Sequence, residues 1–176
     1  MLPHTSRLVG RQGIPRSARG VGLVELMVVV LIISMLMAVA VPSYQRVRKR
    51  AQAAALVNDL RVYAAVFQAY SHENGVWPAD TAAGVVPTGI TSQELRTDVW
   101  THPTPVGGKF KWDYNAVPSP GVPRAAIGLA DTSDAPLIMD PDLFAMMDEA
   151  LDDGNLTTGS FIFPGPDGYP IYILEP

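Results

Sequence analysis

The sequence predicts an α+β fold in which one long N-terminal helix packs on a small antiparallel sheet. Residues 41–74 have helical composition and contain no glycine, whereas most of the 16 prolines and 15 glycines occur from Gly75 onward. Two strand–turn–strand patterns then follow in the second half of the chain. With 176 residues, the chain is long enough for one modest domain and a tail.

Charge is unevenly distributed along the chain, although the formal net charge is only -4. Residues 1–20 carry four arginines and no acid, whereas residues 75–176 carry 14 acidic and four basic residues. Nucleic-acid binding depends on cationic side chains that neutralise phosphates, so an acidic domain argues against nucleic acid as its main partner. The absence of cysteine excludes disulfides and thiolate metal sites.

The N-terminal part predicts a leader followed by a membrane helix. Residues 1–20 lack apolar periodicity and predict a basic leader peptide outside the fold. Residues 21–41 are apolar except for Glu25, Ser34 and the small Gly22. A helix of this length spans roughly 30 Å, the thickness of a bilayer core, so the run predicts a transmembrane helix.

The same helix is predicted to continue beyond the membrane to residue 74. Apolar residues recur at steps of 4, 3, 4 and 3, which places them on one helix face: Leu56, Leu60, Tyr63, Phe67 and Tyr70. Asn74-Gly75 supplies a stop signal. Pro42 lies inside the helix and predicts a kink, because proline removes one backbone hydrogen bond and crowds the preceding turn.

The remaining residues, 75–176, are predicted to form an acidic α+β head together with the second half of the helix. Residues 75–108 are rich in turn signals, with a short helical turn near Ser92–Leu95. Residues 109–115 alternate, with Phe110, Trp112 and Tyr114 on one face, and residues 124–130 supply a partner strand.

A helix and a hairpin complete this head. Asp140 is the expected N-cap, Pro141 the first helical residue and Gly154 the stop signal. The runs GSFIF and YPIYIL then flank PGPDG, which is a hairpin signal. Three tryptophans, Trp77, Trp100 and Trp112, are expected in the core rather than in a ligand site.

The junction of leader and helix carries a specific motif. Arg19-Gly20 followed by Val-Gly-Leu-Val-Glu-Leu resembles the cleavage and methylation signature of type IV prepilins and type II secretion pseudopilins. That family has a basic leader ending in glycine and a glutamate at the fifth processed position, here Gly20 and Glu25. Pro42 matches a common family proline, whereas Val21 stands where phenylalanine is usual. The resemblance extends to the pilin-like fold of a long helix on a small sheet.

The resemblance implies a structural role and no enzymatic activity. A prepilin peptidase would cleave after Gly20 and methylate the new amine of Val21, and Glu25 would act in assembly. The implied partners are the peptidase, other pilin or pseudopilin subunits, an inner-membrane assembly platform and the lipid bilayer. The implied location is the inner membrane, with a cytoplasmic N-terminus and an extracytoplasmic head, and afterwards a pilus or pseudopilus filament.

One alternative assigns the apolar run to an ordinary signal peptide. Ala38-Val39-Ala40 is a small-x-small cleavage site, and cleavage after Ala40 would release a soluble exported binding module. The apolar run is longer than the usual 7–15 residues and contains Glu25, which favours the membrane helix.

Other candidate sites are weaker. The three histidines have no metal-ligand spacing, no catalytic constellation is evident, and no cofactor is expected. Asp152, Asp153 and Asn155 are weak calcium candidates because they bring oxygen ligands into one loop, and a turn that ends the helix is the favoured explanation of these residues. A basic cluster, Arg46, Arg48, Lys49 and Arg50, either contacts lipid phosphates or forms a solvated helix face.

Overall fold

The computed structural model describes residues 22–91, 93–115 and 121–176, and it confirms the predicted α+β class. The elements in these ranges are α1 (Leu23–Asn74), α2 (Thr97–Thr101), β1 (Lys109–Tyr114), β2 (Ala125–Ala130), α3 (Pro141–Leu151), β3 (Phe161–Ile162) and β4 (Ile171–Glu175). The chain divides into two compact units, of which the first ends at Pro42 and the second is Ser43–Pro176.

The described part of the first unit is the apolar beginning of helix α1. Within the described residues, α1 is the one helix that is long and apolar enough to cross a bilayer. The helix continues through Pro42 without a break in secondary structure. The kink predicted at Pro42 remains a prediction.

The remainder of helix α1 carries the apolar stripe that the sequence predicts. Four of its five members are at most 1% exposed: Leu56, Leu60, Tyr63 and Phe67. Tyr70 is partly buried and packs at the edge of the core. The helix ends as predicted, because Gly75 adopts a positive φ of 72° and its N–H donates to the carbonyl of Ser71 at 2.9 Å.

The four strands form one antiparallel sheet in the order β1-β2-β4-β3. Strand β1 pairs with β2 from Lys109 opposite Ala130 to Tyr114 opposite Ala125. The hairpin predicted around PGPDG joins β3 to β4, with Ile162 opposite Ile171. Both predicted strand pairs are therefore confirmed. Residues 116–120 of the predicted loop between β1 and β2 lie outside the described residues.

Aromatic side chains from α1, α2 and β1 form the centre of the core. Phe67 stacks on Trp112 with ring centroids 3.9 Å apart, and Tyr63 meets Trp100 edge-on at 4.9 Å. Trp100 and Trp112 are fully buried, and their indole N–H groups donate to the carbonyls of Val85 and Pro78. Trp77 is partly buried against the same core, so all three tryptophans pack as the sequence predicts.

The segment between α1 and β1 contains a helix that the sequence does not reveal. A single turn forms near the predicted position, where the N–H of Leu95 donates to the carbonyl of Thr91 at 3.2 Å. Ser92 itself lies outside the described residues. Arg96 then adopts a positive φ of 23°, which interrupts the helical path, and α2 begins directly after it.

Helix α3 begins and ends as predicted. The Asp140 carboxylate accepts the N–H of Leu143 at 3.3 Å, and Pro141 is the first helical residue. Leu143 and Met147 are buried, Leu151 is partly buried, and Gly154 lies past the end with a positive φ of 83°.

Candidate functional site

Glu25 lies in the first turn of helix α1 and is the one ionisable residue between residues 22 and 42. Its N–H donates to the carbonyl of Gly22 at 3.0 Å, while its side chain is exposed. Within the described part of the chain, the carboxylate has no hydrogen bond or salt bridge. The first turn of a helix favours negative charge, because its unpaired N–H groups form the positive end of the helix dipole. The backbone therefore stabilises Glu25, and its side chain remains available to a partner.

The surface around Glu25 is apolar on every face of the helix. The large apolar side chains from Leu23 to Val41 are 46–74% exposed. A continuous apolar surface of this extent requires a bilayer or neighbouring apolar helices to cover it. The hydroxyl of Ser34 donates to the carbonyl of Val30 at 2.7 Å, so this polar side chain is satisfied within the helix.

The predicted processing residues Gly20 and Val21 lie outside the described residues. In the described residues, helix α1 begins at Leu23, and Glu25 lies within its first turn.

The basic cluster after the apolar segment is divided between two environments. Arg46, Arg48 and Arg50 are exposed. Lys49 instead forms salt bridges with Asp140 at 2.8 Å and with Asp142 at 3.4 Å. The Lys49 ammonium donates a hydrogen bond to the Asp140 carboxylate, which raises the pKa of Lys49 and lowers the pKa of Asp140. One member of the cluster thus links α1 to the start of α3.

The acidic side chains that cluster after α3 are not the same three residues that the sequence suggests as calcium candidates. Asp152 and Asp153 lie together with Asp148, and one carboxylate oxygen from each is within 4.8 Å of the others. Asn155 is not in this group, and its Oδ1 accepts the N–H and hydroxyl of Thr157 at 3.2 and 2.8 Å. The Asp153 carboxylate is engaged in the same turn, where it accepts the N–H of Asn155 at 2.8 Å and the hydroxyl of Thr158 at 2.9 Å. Sequence reasoning missed Asp148. Its position one turn after the core residue Phe144 was the available signal, since it places a carboxylate on the buried face of α3.

A second polar cluster lies on the face of β1 opposite the aromatic core. Lys111 forms a salt bridge with Asp113, and the hydroxyl of Tyr169 contacts the Lys111 ammonium at 3.0 Å and the Asp113 carboxylate at 2.9 Å. Burial opposes the charge of Lys111, but the hydrogen bonds that its ammonium donates to Asp113 and Tyr169 outweigh this effect and raise the lysine pKa. Burial also raises the pKa of Asp113. Each charge therefore has its partner inside the cluster.

Comparison with known proteins identifies the N-terminal segment. Residues 15–41 match the family model described as the prokaryotic N-terminal methylation motif. The chain is similar to the fimbrial protein EcpC of Eikenella corrodens, with 33% identity over 81 residues, which is 46% of this chain and 53% of that protein. The match thus spans about half the length of this relative. No solved structure matches the chain significantly.

These findings confirm the resemblance predicted from Gly20 to Leu26. The motif match covers the end of the leader and the whole apolar segment with Glu25, and the relative is a fimbrial protein. They support a type IV pilin-like N-terminal segment. The chain carries a prokaryotic N-terminal methylation motif on a pilin-like arrangement of one long helix and a small antiparallel sheet.

Proposed function

We propose that the chain is a structural subunit of a type IV pilus or a type II secretion pseudopilus, and that it polymerises through helix α1. One observation carries this proposal: a lone carboxylate, Glu25, lies five residues after Gly20 on an exposed apolar helix within the methylation motif. The motif explains the spacing, and polymerisation explains why so much apolar surface is exposed.

Processing prepares this helix for assembly. A prepilin peptidase cleaves between Gly20 and Val21 and methylates the new amine, which leaves a cationic group four residues before Glu25. A lone carboxylate within a membrane helix costs on the order of 3 kcal/mol on insertion scales. The amine of one subunit neutralises Glu25 of its neighbour, so the pair offsets this cost and fixes the register between helices.

The subunit resides in the inner membrane before it enters a filament. Its N-terminus is cytoplasmic, where it meets the peptidase, and residues 75–176 lie outside with the second half of α1. Charge alone does not select this orientation, because the four arginines of residues 1–20 are balanced by four basic residues at 46–50. The orientation rests on the cytoplasmic position of the processing site. The assembly platform in the membrane is the further partner.

Mass spectrometry of the mature N-terminal peptide tests the proposal. We expect a start at Val21 with a methylated amine in cells that contain a prepilin peptidase. Gly20→Leu should leave the precursor intact in the membrane, because a bulky side chain occupies the cleavage position. Gly13→Leu is the matched control in the leader and should be processed normally.

Two results would contradict the proposal. A start at Val41 would indicate cleavage after Ala40 and support the soluble exported module. A parent chain that retains residues 1–20 in these cells would remove the peptidase from its maturation.

A further inference from the structure

Helix α3 runs alongside the second part of α1 in the same direction. Near the start of α3, Asp140 is paired with Lys49 at 2.8 Å, and near its end the Ala150 carbonyl accepts the Arg61 guanidinium at 2.5 Å. These contacts are 12 residues apart on α1 and 10 residues apart on α3, which corresponds to rises of about 18 and 15 Å. The residues just before α3 therefore lie at the end of the head nearest Ser43.

That end of the head exposes two large apolar side chains. Ile138 is 63% exposed and Met139 is 50% exposed, directly before the cap of α3. The backbone fixes their position, because the N–H of Ile138 donates to the Val106 carbonyl at 2.8 Å. The neighbouring Pro105 carbonyl in turn accepts the side-chain amide of Gln52 on α1 at 3.3 Å. The two apolar side chains are thus held beside α1 with no cover from the described residues of the chain.

The part of α1 beside this loop is strongly cationic. Three exposed arginines form no salt bridge within the described residues: Arg46, Arg48 and Arg50. Lys49 is the fourth cation, and it is paired with Asp140 and Asp142. Four cations therefore face two carboxylates at this end, although residues 75–176 as a whole are acidic. Charge complementarity favours an anionic partner here.

This surface directly follows the apolar run of residues 21–41 in the chain. Ser43 and Lys49 are separated by a rise of about 9 Å along the helix. The headgroup layer on each side of a bilayer core is about 5–8 Å thick. Tyr44 is 69% exposed within the same span, and tyrosine is enriched in that layer because its ring is apolar and its hydroxyl is polar. The arginines therefore follow the apolar run at the spacing of the lipid phosphates.

We propose that the end of the head nearest Ser43 binds an anionic lipid surface. The three arginines contact lipid phosphates, and Ile138 and Met139 enter the apolar edge of the headgroup layer. The contact rests on the membrane location proposed above. It holds the head at the bilayer surface until the subunit leaves the membrane.

A fluorophore at position 139 tests this contact. The chain has no cysteine, so Met139→Cys provides a unique attachment point for an environment-sensitive dye. In full chains reconstituted in vesicles of phosphatidylcholine and phosphatidylglycerol, we expect blue-shifted emission and quenching by lipids brominated near the headgroup. Val76→Cys is the matched control, because Val76 is 58% exposed just past the far end of α1 and should show neither effect. If Met139→Cys does not fold, Ile138→Cys replaces it.

Variants of the three arginines test the role of charge. Arg46→Gln, Arg48→Gln and Arg50→Gln in one chain should abolish most of the quenching. The ratio of bound to free heads should fall about fivefold for each arginine removed. The matched control replaces the same three residues by Arg46→Lys, Arg48→Lys and Arg50→Lys, which keeps the charge and should retain the quenching. Added salt and vesicles of pure phosphatidylcholine should each weaken the contact of the parent.

Flotation of the vesicles separates failure of this contact from failure of the proposed function. A full chain that does not float with the vesicles would contradict the membrane location and the contact together. A chain that floats, but shows neither a blue shift nor lipid quenching at position 139, would overturn the contact alone.

Two further results would overturn the assignment to anionic lipid. A blue shift that grows with the ratio of protein to lipid, without lipid quenching, would mean that a second copy of the chain covers this surface. Quenching that is equal in vesicles of pure phosphatidylcholine and unchanged by the glutamine substitutions would show that lipid phosphates and arginines do not determine the contact.

Discussion

Glu25 is subject to two opposite energetic demands in the proposed function. The bilayer disfavours its charge, whereas the methylated amine of a neighbouring subunit requires it. The side chain is exposed and has no partner within the described chain, so neither demand is met by the protein itself. A substitution at this position therefore separates insertion from assembly.

Glu25→Leu should improve membrane insertion and impair polymerisation. Leucine removes an insertion cost on the order of 3 kcal/mol, while the neighbour's buried amine loses its counter-charge. The measurement is the ratio of sheared filaments to membrane-bound subunit in cells with the wild-type assembly machinery. Glu25→Asp should give a partial defect, and Glu25→Gln should assemble as poorly as leucine. Parental filament levels for Glu25→Leu would contradict the charge pairing.

Asp140 combines a helix cap with an ion pair. Asp140→Ala should lower the free energy of unfolding by about 1 kcal/mol, because the N–H of Leu143 loses its acceptor. The salt bridge with Lys49 adds little, since both side chains are partly exposed. Asp140→Asn is the matched control and should retain most of the stability, because asparagine also caps helices. Chemical denaturation at pH 7 measures the free energy of unfolding of both variants. If Asp140→Asn loses as much stability as Asp140→Ala, the charge matters more than the cap.

The contribution of Asp140 should also depend on pH. The hydrogen bond from Lys49 and the N–H of Leu143 lower its pKa in the folded protein below the ordinary value of 3.8. A carboxyl with a lowered folded pKa contributes its full stability above the unfolded value, and this is lost as pH falls through the folded value. The stability difference between the parent and Asp140→Ala should therefore be constant from pH 7 to about 5 and shrink below pH 4. A difference that grows on acidification would contradict this sign.

The functional residues that the sequence predicts are those defined by a local sequence pattern. The residues that it misses are defined by contacts between distant parts of the chain. Glu25 and Asp140 are recognisable because a motif or a cap defines them within a few neighbouring residues. The pairing of Lys49 with Asp140 joins residues that are far apart in sequence, and the convergence of Asp148 on the loop depends on how the chain leaves α3. No local pattern specifies either contact.

At the scale of single elements, the stripe of α1 is the structural centre of the head. Its side chains reach two different elements, since Phe67 stacks on Trp112 of β1 and also contacts Trp100 of α2. The periodicity predicts which residues are buried, because 3.6-residue spacing places them on one face. It does not predict their partners, and α2 escapes detection because it is a five-residue helix that follows the strained Arg96.

Phe67→Ala should destabilise the head by about 3–5 kcal/mol, because it removes a fully buried ring and leaves a cavity beside two tryptophans. Gln68→Ala is the matched control at the adjacent exposed position and should change stability by less than about 0.5 kcal/mol. Denaturant unfolding followed by tryptophan fluorescence measures both variants. Similar midpoints would mean that α1 does not pack on the sheet as described.

At the scale of the whole molecule, the head has its own core. The unit Ser43–Pro176 contains the buried cluster and the complete sheet. A chain of residues 46–176 should therefore be soluble, monomeric and cooperatively folded, because it lacks the exposed apolar segment and keeps every core residue. Light scattering after size-exclusion chromatography and thermal unfolding test this. Aggregation or non-cooperative melting would show that the head requires residues 1–45.

Much of this architecture was predictable because its elements are bounded by strong local signals. Asn74-Gly75, Asp140-Pro141 and the PGPDG turn each mark an element boundary that the structure confirms. The strand order was not predictable, because β4 pairs with β2 across the whole of α3 and β3. A turn sequence predicts the pairing of the two strands that it joins. The pairing of β4 with β2 depends instead on which edge of the sheet is free, and no local sequence pattern indicates this.

That strand order has a consequence in time. Strand β4 lies between β2 and β3, yet it follows every other strand in the chain. Roughly 100 residues separate Phe67 from Ile171, so at bacterial translation rates about 5–20 s pass between the synthesis of the stripe and that of the strand that completes the sheet. During this interval the apolar stripe of α1 has been synthesised, but the sheet that packs on it lacks β4. A chain that ends before Ile171 lacks the strand that joins β3 to β2, so β2 keeps an unpaired edge.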